Sequence, residues 1–230
     1  MTTTNYPEMS VTEFIFRLGS GDAAPGGGGA SALCGSLGAA LGSMVAHLTV
    51  GRKKYIPVQA EMESVILQAE ALQKEFLALI DQDAQMFLPL SRAYSMPRAT
   101  SEEKDARDSV MKEALKDACQ VPLQIMEMSC RALELVRTVA EKGSETAVSD
   151  AGDAAVFCKA AMQGAALNVF INTKLMKDRD LAAEYNSRAD SILHQYSPLA
   201  DQIYEQVLRQ LRPSEEAQIK SGVYRGAEYR

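Results

Sequence analysis

Apolar residues recur at spacings of three and four along most of the chain, the period of amphipathic helices. Val11, Phe14, Ile15 and Leu18 share one helical face, and Ser10 with Glu13 has the pattern of a capping box at its start. Gly19 to Gly29 then interrupts the pattern, with Pro25 and the run Gly26, Gly27, Gly28, Gly29. Backbone this poor in side chains turns sharply or approaches a neighbour closely. From Ala30 to Val50 the chain reads as a helix with a stripe of small residues, Ser31, Gly35, Gly38, Gly42 and Ala46. Leu33, Leu37, Leu41, Val45 and Leu48 carry its bulk elsewhere. A central buried helix is expected here.

The next helix has Pro57 in its first turn and runs to about Leu88, with Met62, Val65, Leu72, Phe76, Leu79, Ile80 and Phe87 among its apolar positions. Pro89 and Pro97 bracket an expected connection that holds Tyr94. Ser101, with Glu102 and Glu103, opens another helical stretch, which Pro122 should kink or restart before it ends near Gly143. Ser149 or Asp150 caps a second helix rich in small residues, running to about Met176. Leu181–Leu193 and Leu199–Leu211 give two final helices separated by Pro198. No segment alternates in the manner of a strand. The pattern predicts an all-α, single-domain bundle of about seven or eight helices with two central small-residue helices. It covers residues 1–211, and a polar C-terminal tail follows at 212–230.

Composition narrows the function classes. The chain has 230 residues, 47% hydrophobic and 23% charged, which excludes a disordered or collagen-like protein. A formal net charge of −6 argues against general nucleic-acid binding. Between Asp22 and Arg52 only His47 is ionisable, so a membrane span has to be considered. The stretch is rich in Gly, Ala and Ser, and no second convincing span is expected, so no membrane partner is predicted. Cys34, Cys119, Cys130 and Cys158 form no CxxC pair and read as reduced, buried thiols. His47 and His194 are too few and too far apart for a histidine zinc site, and no metal is expected. The polar start, Thr2 to Asn5, is unlike a secretory leader, which suggests a cytoplasmic protein.

Several residues could carry chemistry. The glycine run lacks the Lys-Ser/Thr pair of a phosphate loop, yet it precedes a helix whose free N–H groups could bind an anion or a carbonyl oxygen. Lys53 and Lys54 either cap the preceding helix by charge, or one of them faces a pocket. Asp83 lies near the apolar stripe of Phe76, Leu79, Ile80 and Phe87, where a carboxylate is either paired or used. Asn168 and Asn172, four apart, share a helical face, and Asp150 lies five nominal turns before Asn168. The two amides bond either to partner helices or to a polar heterocycle.

Pro25-Gly-Gly-Gly-Gly-Ala-Ser-Ala-Leu33, Gly38-Ala-Ala-Leu-Gly42 and Leu48-Thr-Val-Gly-Arg-Lys-Lys-Tyr55 together resemble the cyclodeaminase/cyclohydrolase family of folate enzymes. The likeness continues through Leu79-Ile-Asp-Gln-Asp-Ala84, Ala93-Tyr94, Val121-Pro-Leu123, Ser149-Asp150 and Ala165-Ala-Leu-Asn-Val-Phe-Ile-Asn172. It implies an all-helical homodimer that binds a folate in a cleft and needs no further cofactor. It also implies that Asp83, Lys53, Lys54 and Asp150 border the catalytic region. Gly26, Gly27, Gly28, Gly29, Ser31, Arg52, Tyr94, Arg98, Asn168 and Asn172 would bind substrate, with Arg52, Arg92 or Arg98 on its glutamyl carboxylates. Many family members have Ser where this chain has Gly29, leaving Ser31 and Ser36 as substitutes, and many have Lys in place of Arg52. The implied activity is hydrolysis of 5,10-methenyltetrahydrofolate. The alternatives are a formiminotetrahydrofolate cyclodeaminase that releases ammonia, and a non-catalytic helical binding protein.

Overall fold

The two stretches rich in small residues fold as a closely packed helix pair within an all-α bundle, each with one face exposed. In the computed structural model, which describes residues 5–212, they are α2 (Gly27–His47) and α5 (Val148–Leu175). Around them lie α1 (Val11–Leu18), α3 (Gln59–Tyr94), α4 (Ser101–Lys142) and α6 (Arg179–Leu211). Short 3₁₀ helices at Tyr6–Glu8, Lys53–Val58 and Glu145–Ala147 complete the described chain. Past Arg212, the expected polar tail lies outside the described residues.

The described chain has six α-helices rather than seven or eight, because Pro122 and Pro198 do not divide helices, while Pro89 falls inside a longer α3. α3 continues through Pro89, α4 through Pro122 and α6 through Pro198. A mid-helix proline removes one N–H and costs about 3 kcal/mol in an otherwise unsupported helix. Here the flanking turns are pinned in the core by Leu90, Leu123 and Ala200, all nearly fully buried. At Pro122 the lost bond is also replaced. Ala118, four residues earlier, has its carbonyl freed, and Asn172 Nδ2 donates to it at 3.0 Å.

Helix starts shift for equally local reasons. α1 begins with the expected capping box, in which Glu13 N–H donates to Ser10 Oγ at 3.2 Å. α4 starts one residue later than its cap, Thr100, whose Oγ1 accepts from Glu103 N–H while Glu103 accepts from Thr100 N–H. Ser149 and Asp150 sit inside the first turn of α5 rather than capping it, because the 3₁₀ turn Glu145–Ala147 leads into the helix. α2 starts at Gly27, so the end of the glycine run is helical rather than a break.

α2 and α5 run antiparallel and nearly touch. Gly27 faces Asn168, Ser31 faces Gly164, and Gly38 faces Ala154 and Cys158. A Cβ on Gly38 would sit 2.5 Å from Cys158 Sγ and 3.0 Å from the Ala154 carbonyl oxygen. Both helices are long and apolar enough to cross a membrane, so the second such stretch does exist. Here each is packed against the other and against α4 at the centre of the bundle. Burial pushes the thiols of Cys119, Cys130 and Cys158 up to about 12, so they stay protonated.

The packing separates two glycines of the same stripe. A Cβ at Gly42 meets only Val136 Cγ2, at 3.4 Å. Gly38→Ala should therefore cost about 1–3 kcal/mol by forcing α2 and α5 apart. Gly42→Ala should cost far less, because alanine favours a helix over glycine by up to about 1 kcal/mol. Urea unfolding of the two variants measures the difference, and equal losses would contradict this packing.

Candidate active site

The first turn of α2 forms one wall of a cavity of 170 Å³. Gly26, Gly27 and Gly28 line it, α3 contributes Asp83 and Phe87, and α4 contributes Ala118 and Pro122. From α5 come Asn168, Ile171 and Asn172. Ala23 and Ala24 close it from the loop before α2. That loop is held by Tyr6, whose hydroxyl donates to the Ala24 carbonyl at 3.1 Å and whose N–H donates to Asp81 at 2.8 Å. Asp81 is thus a structural acceptor, pointing away from the role of its neighbour two residues on.

Asp83 is the group with chemistry in this cavity. Its Oδ2 accepts the Gly29 N–H at 3.1 Å, the third amide of the first turn of α2. No cation pairs with it among the described residues. Burial pushes its carboxyl up to about 6, and the Gly29 hydrogen bond offsets only part of that rise. The remaining oxygen is left for a ligand or water. The N–H groups of Gly27 and Gly28 precede the first intrahelical bond of α2, so the same wall offers free donors at the positive end of a helix.

The glycines are spatial requirements. A side chain on Gly28 would overlap the Asp83 carboxyl group outright. A Cβ on Gly27 would press on the Asn168 amide, at 3.2 Å from Nδ2. Gly29 differs, since a Cβ there makes ordinary contacts with Ile80 and Pro25 at 3.4 and 3.5 Å. A serine at that position would therefore meet no obstacle. Ser31 and Ser36 do not replace it. Ser31 Oγ donates to the Gly27 carbonyl at 2.7 Å against Gly164, and Ser36 Oγ to the Gln73 carbonyl at 3.4 Å. Asn168 and Asn172 both face the cavity, and each also serves the helices. Asn168 Nδ2 donates to the Gly164 carbonyl at 2.8 Å, while Asn172 holds Ala118.

The basic cluster lies elsewhere. Lys53 and Lys54 follow the C-terminus of α2, whereas Asp83 contacts its N-terminus. Twenty-one helical residues at 1.5 Å each separate the ends by about 30 Å. Within one protomer the lysines therefore do not form a proton-transfer pair with Asp83. Lys54 instead pairs with Glu145 at 2.6 Å and lies over the Tyr55 ring, and Arg52 donates to Ser144 Oγ at 3.4 Å. Asp150 belongs to the same remote end. Five turns place it on the face of Asn168 by angle and about 27 Å from it along the axis. Tyr94 lines a neighbouring cavity, and Arg98 is exposed in the turn between α3 and α4.

A family model described as formiminotransferase-cyclodeaminase matches residues 10–191. The chain belongs to this family. Among its relatives is a methenyltetrahydrofolate cyclohydrolase from Methylorubrum extorquens, 39% identical over 198 residues, which are 86% of this chain and 95% of that protein. The formimidoyltransferase-cyclodeaminase of Rattus norvegicus is 32% identical over 82% of this chain, and the alignment spans only 35% of the rat protein. The crystal structure of a formiminotetrahydrofolate cyclodeaminase from Thermotoga maritima superposes with a TM-score of 0.73 at 25% identity. It covers 94% of this chain and 98% of that one.

Sequence reasoning did not assign Phe87, Ala118, Pro122 or Ile171 to the site. Pro122 carried a usable signal, because a proline on a helix face announces a free carbonyl one turn earlier and a need for a side-chain donor. Gly28→Ala should displace the Asp83 carboxylate while leaving the core intact. A misplacement near 1 Å predicts a loss of about 10²-fold in turnover, with the unfolding midpoint little changed. Steady-state kinetics beside thermal denaturation checks both halves.

Proposed function

We propose that this enzyme hydrolyses 5,10-methenyltetrahydrofolate to 10-formyltetrahydrofolate, with Asp83 handling the proton. The observation that carries the reading is the half-buried Asp83 carboxyl, which meets no cation among the described residues and faces a cavity beside free helix N–H donors. The relative of matching length, named a methenyltetrahydrofolate cyclohydrolase, supports the choice of substrate.

The chemistry needs little else. The methenyl bridge is an amidinium carbon, already electrophilic, so the reading invokes no metal or cofactor. Asp83 accepts a proton as water adds to that carbon. The adduct collapses by breaking the bond to N5, and the protonated Asp83 returns its proton to N5. The second hydroxyl proton leaves for solvent as the formyl carbonyl forms on N10. Net, one water is consumed and one proton released. The Asn168 and Asn172 amides would hold the pterin. A second reading, cyclodeaminase activity, is favoured by the likeness to the Thermotoga maritima protein. Loss of the methenyl absorbance, measured beside ammonia release from the formimino substrate, separates the two. Ammonia release without methenyl hydrolysis would overturn the first.

Two signs follow from the raised carboxyl. A general base must be ionised, so kcat should fall as pH drops through about 6. Folding has the opposite sense. The folded state binds this proton more tightly than the unfolded chain, whose carboxyl titrates near 3.8. The stabilisation this provides is complete below about 4 and lost as pH rises through about 6. Asp83→Asn should thus lower kcat by about 10²–10⁴-fold. It should leave stability at pH 7.5 equal to the parent or higher, since an amide avoids the buried charge and still accepts from Gly29. Stability lost with kcat retained would make Asp83 a structural residue.

We also propose a homodimer, acting in the cytoplasm. Leu37, Leu41 and Met44 of α2, with Leu48 just past its end, form a partly exposed apolar face, as do Phe157, Ala160, Leu167 and Ile171 of α5. Ile171 also rims the cavity. A second copy fits these faces when the helices pair antiparallel. The basic end of α2 in one copy then approaches the Asp83 end of the other, whereas parallel pairing would stack like charges. Sedimentation at micromolar concentration should give a dimer of the 25.0 kDa chain, and Leu167→Glu should give a monomer. A monomeric parent protein would remove this reading.

A further inference from the structure

A second, larger cavity of 680 Å³ is lined by the next turns of helices that also line the Asp83 cavity. The same three helices build both. α3 gives Phe87 to the first and Tyr94 to the second, α4 gives Ala118 and then Leu115, and α5 gives Asn172 and then Leu175. Separations of three or seven residues keep each pair on one helical face. At 1.5 Å per residue they amount to about 5–10 Å along the helices. A ligand anchored beside Asp83 and extending along these helices reaches this second space.

The chemistry of the second cavity is graded. Met111, Leu115 and Leu175 make it apolar on one side. Around its mouth stand Arg107, Lys112 and Lys177 with Asp108 and Asp178. Lys177 is paired with Asp108, and Asp178 accepts the Leu181 N–H at 3.0 Å to cap α6. Arg107 commits its Nε to the Ala93 carbonyl at 3.1 Å, which leaves its terminal nitrogens without a carboxylate among the described residues. Lys112 is exposed and has no carboxylate partner there either. An apolar slot leading to two uncommitted cations suits a flat spacer that ends in carboxylates.

We propose that this cavity seats the p-aminobenzoylglutamate portion of the folate, with Arg107 and Lys112 receiving its glutamyl carboxylates. The assignment rests on the folate reading above. It replaces Arg52, Arg92 and Arg98 as the expected carboxylate partners, since none of the three lines either cavity.

The test compares two substrates, 5,10-methenyltetrahydrofolate and the methenyl derivative of tetrahydropteroyl amide, which has no glutamate and no carboxylate. Arg107→Met combined with Lys112→Met should raise KM for the folate about tenfold or more, with kcat retained. KM for the amide should not change. Arg107 also braces the end of α3, so Lys112→Met alone serves as the variant that cannot disturb that turn. It should show the same selective rise at severalfold. An unchanged KM for the folate, or an equal rise for both substrates, would overturn the assignment while leaving the folate reading standing. Failure of the unaltered protein to turn over either substrate would remove both.

Discussion

The close antiparallel approach of α2 and α5 is the constraint on which the rest depends. It is possible because facing positions lack side chains, most severely at Gly38 against Ala154 and Cys158. The same approach carries the first turn of α2 to the level of Asn168 and Asn172. α3 then lays Asp83 against that turn, with the Gly28 position vacant to receive it. Core packing and site geometry are therefore one arrangement, and a side chain added for stability along this seam also moves the chemistry.

The site is also bought at some cost to folding. A carboxylate without a cation among the described residues, placed where burial raises its pKa to about 6, opposes the folded state at neutral pH. The Gly29 amide and the positive end of α2 moderate that cost without abolishing it. Such incomplete compensation distinguishes Asp83 from Asp81, whose oxygen meets the Tyr6 N–H, and from Asp178, which caps a helix.

The helical class, the two central small-residue helices and the importance of Asp83 were legible because they follow from local pattern. A three-to-four spacing specifies a face, and a carboxylate among Phe76, Leu79, Ile80 and Phe87 stands out on it. Helix number was overestimated because proline was weighed as a local breaker. Pro89, Pro122 and Pro198 are instead carried by tertiary contacts, which no short window contains. Within one protomer Lys53, Lys54 and Asp150 are not grouped with Asp83, for another reason. A helical wheel reports angle and omits axial distance, and about 30 Å of helix separates residues that the wheel and the motif had drawn together. The second cavity was invisible for the same reason, because it needs α3, α4 and α5 in register.

The proline in α4 has a consequence for what the cavity can recognise. A carbonyl oxygen only accepts, so the bond to Ala118 obliges Asn172 to turn its nitrogen toward α4. Asn168 is committed in the same sense by the Gly164 carbonyl. Each amide thereby keeps its carbonyl oxygen and one further N–H unspent. Together with the Asp83 carboxylate, the amide oxygens make the side-chain wall rich in acceptors. The free helix N–H groups of Gly27 and Gly28 stand beside these oxygens as donors. A guest that fits presents N–H groups to these oxygens and an oxygen or ring nitrogen to the glycine amides. One whose polar atoms are arranged in the opposite order would bury mismatched pairs, so the cavity reads the direction of a heterocycle as well as its shape.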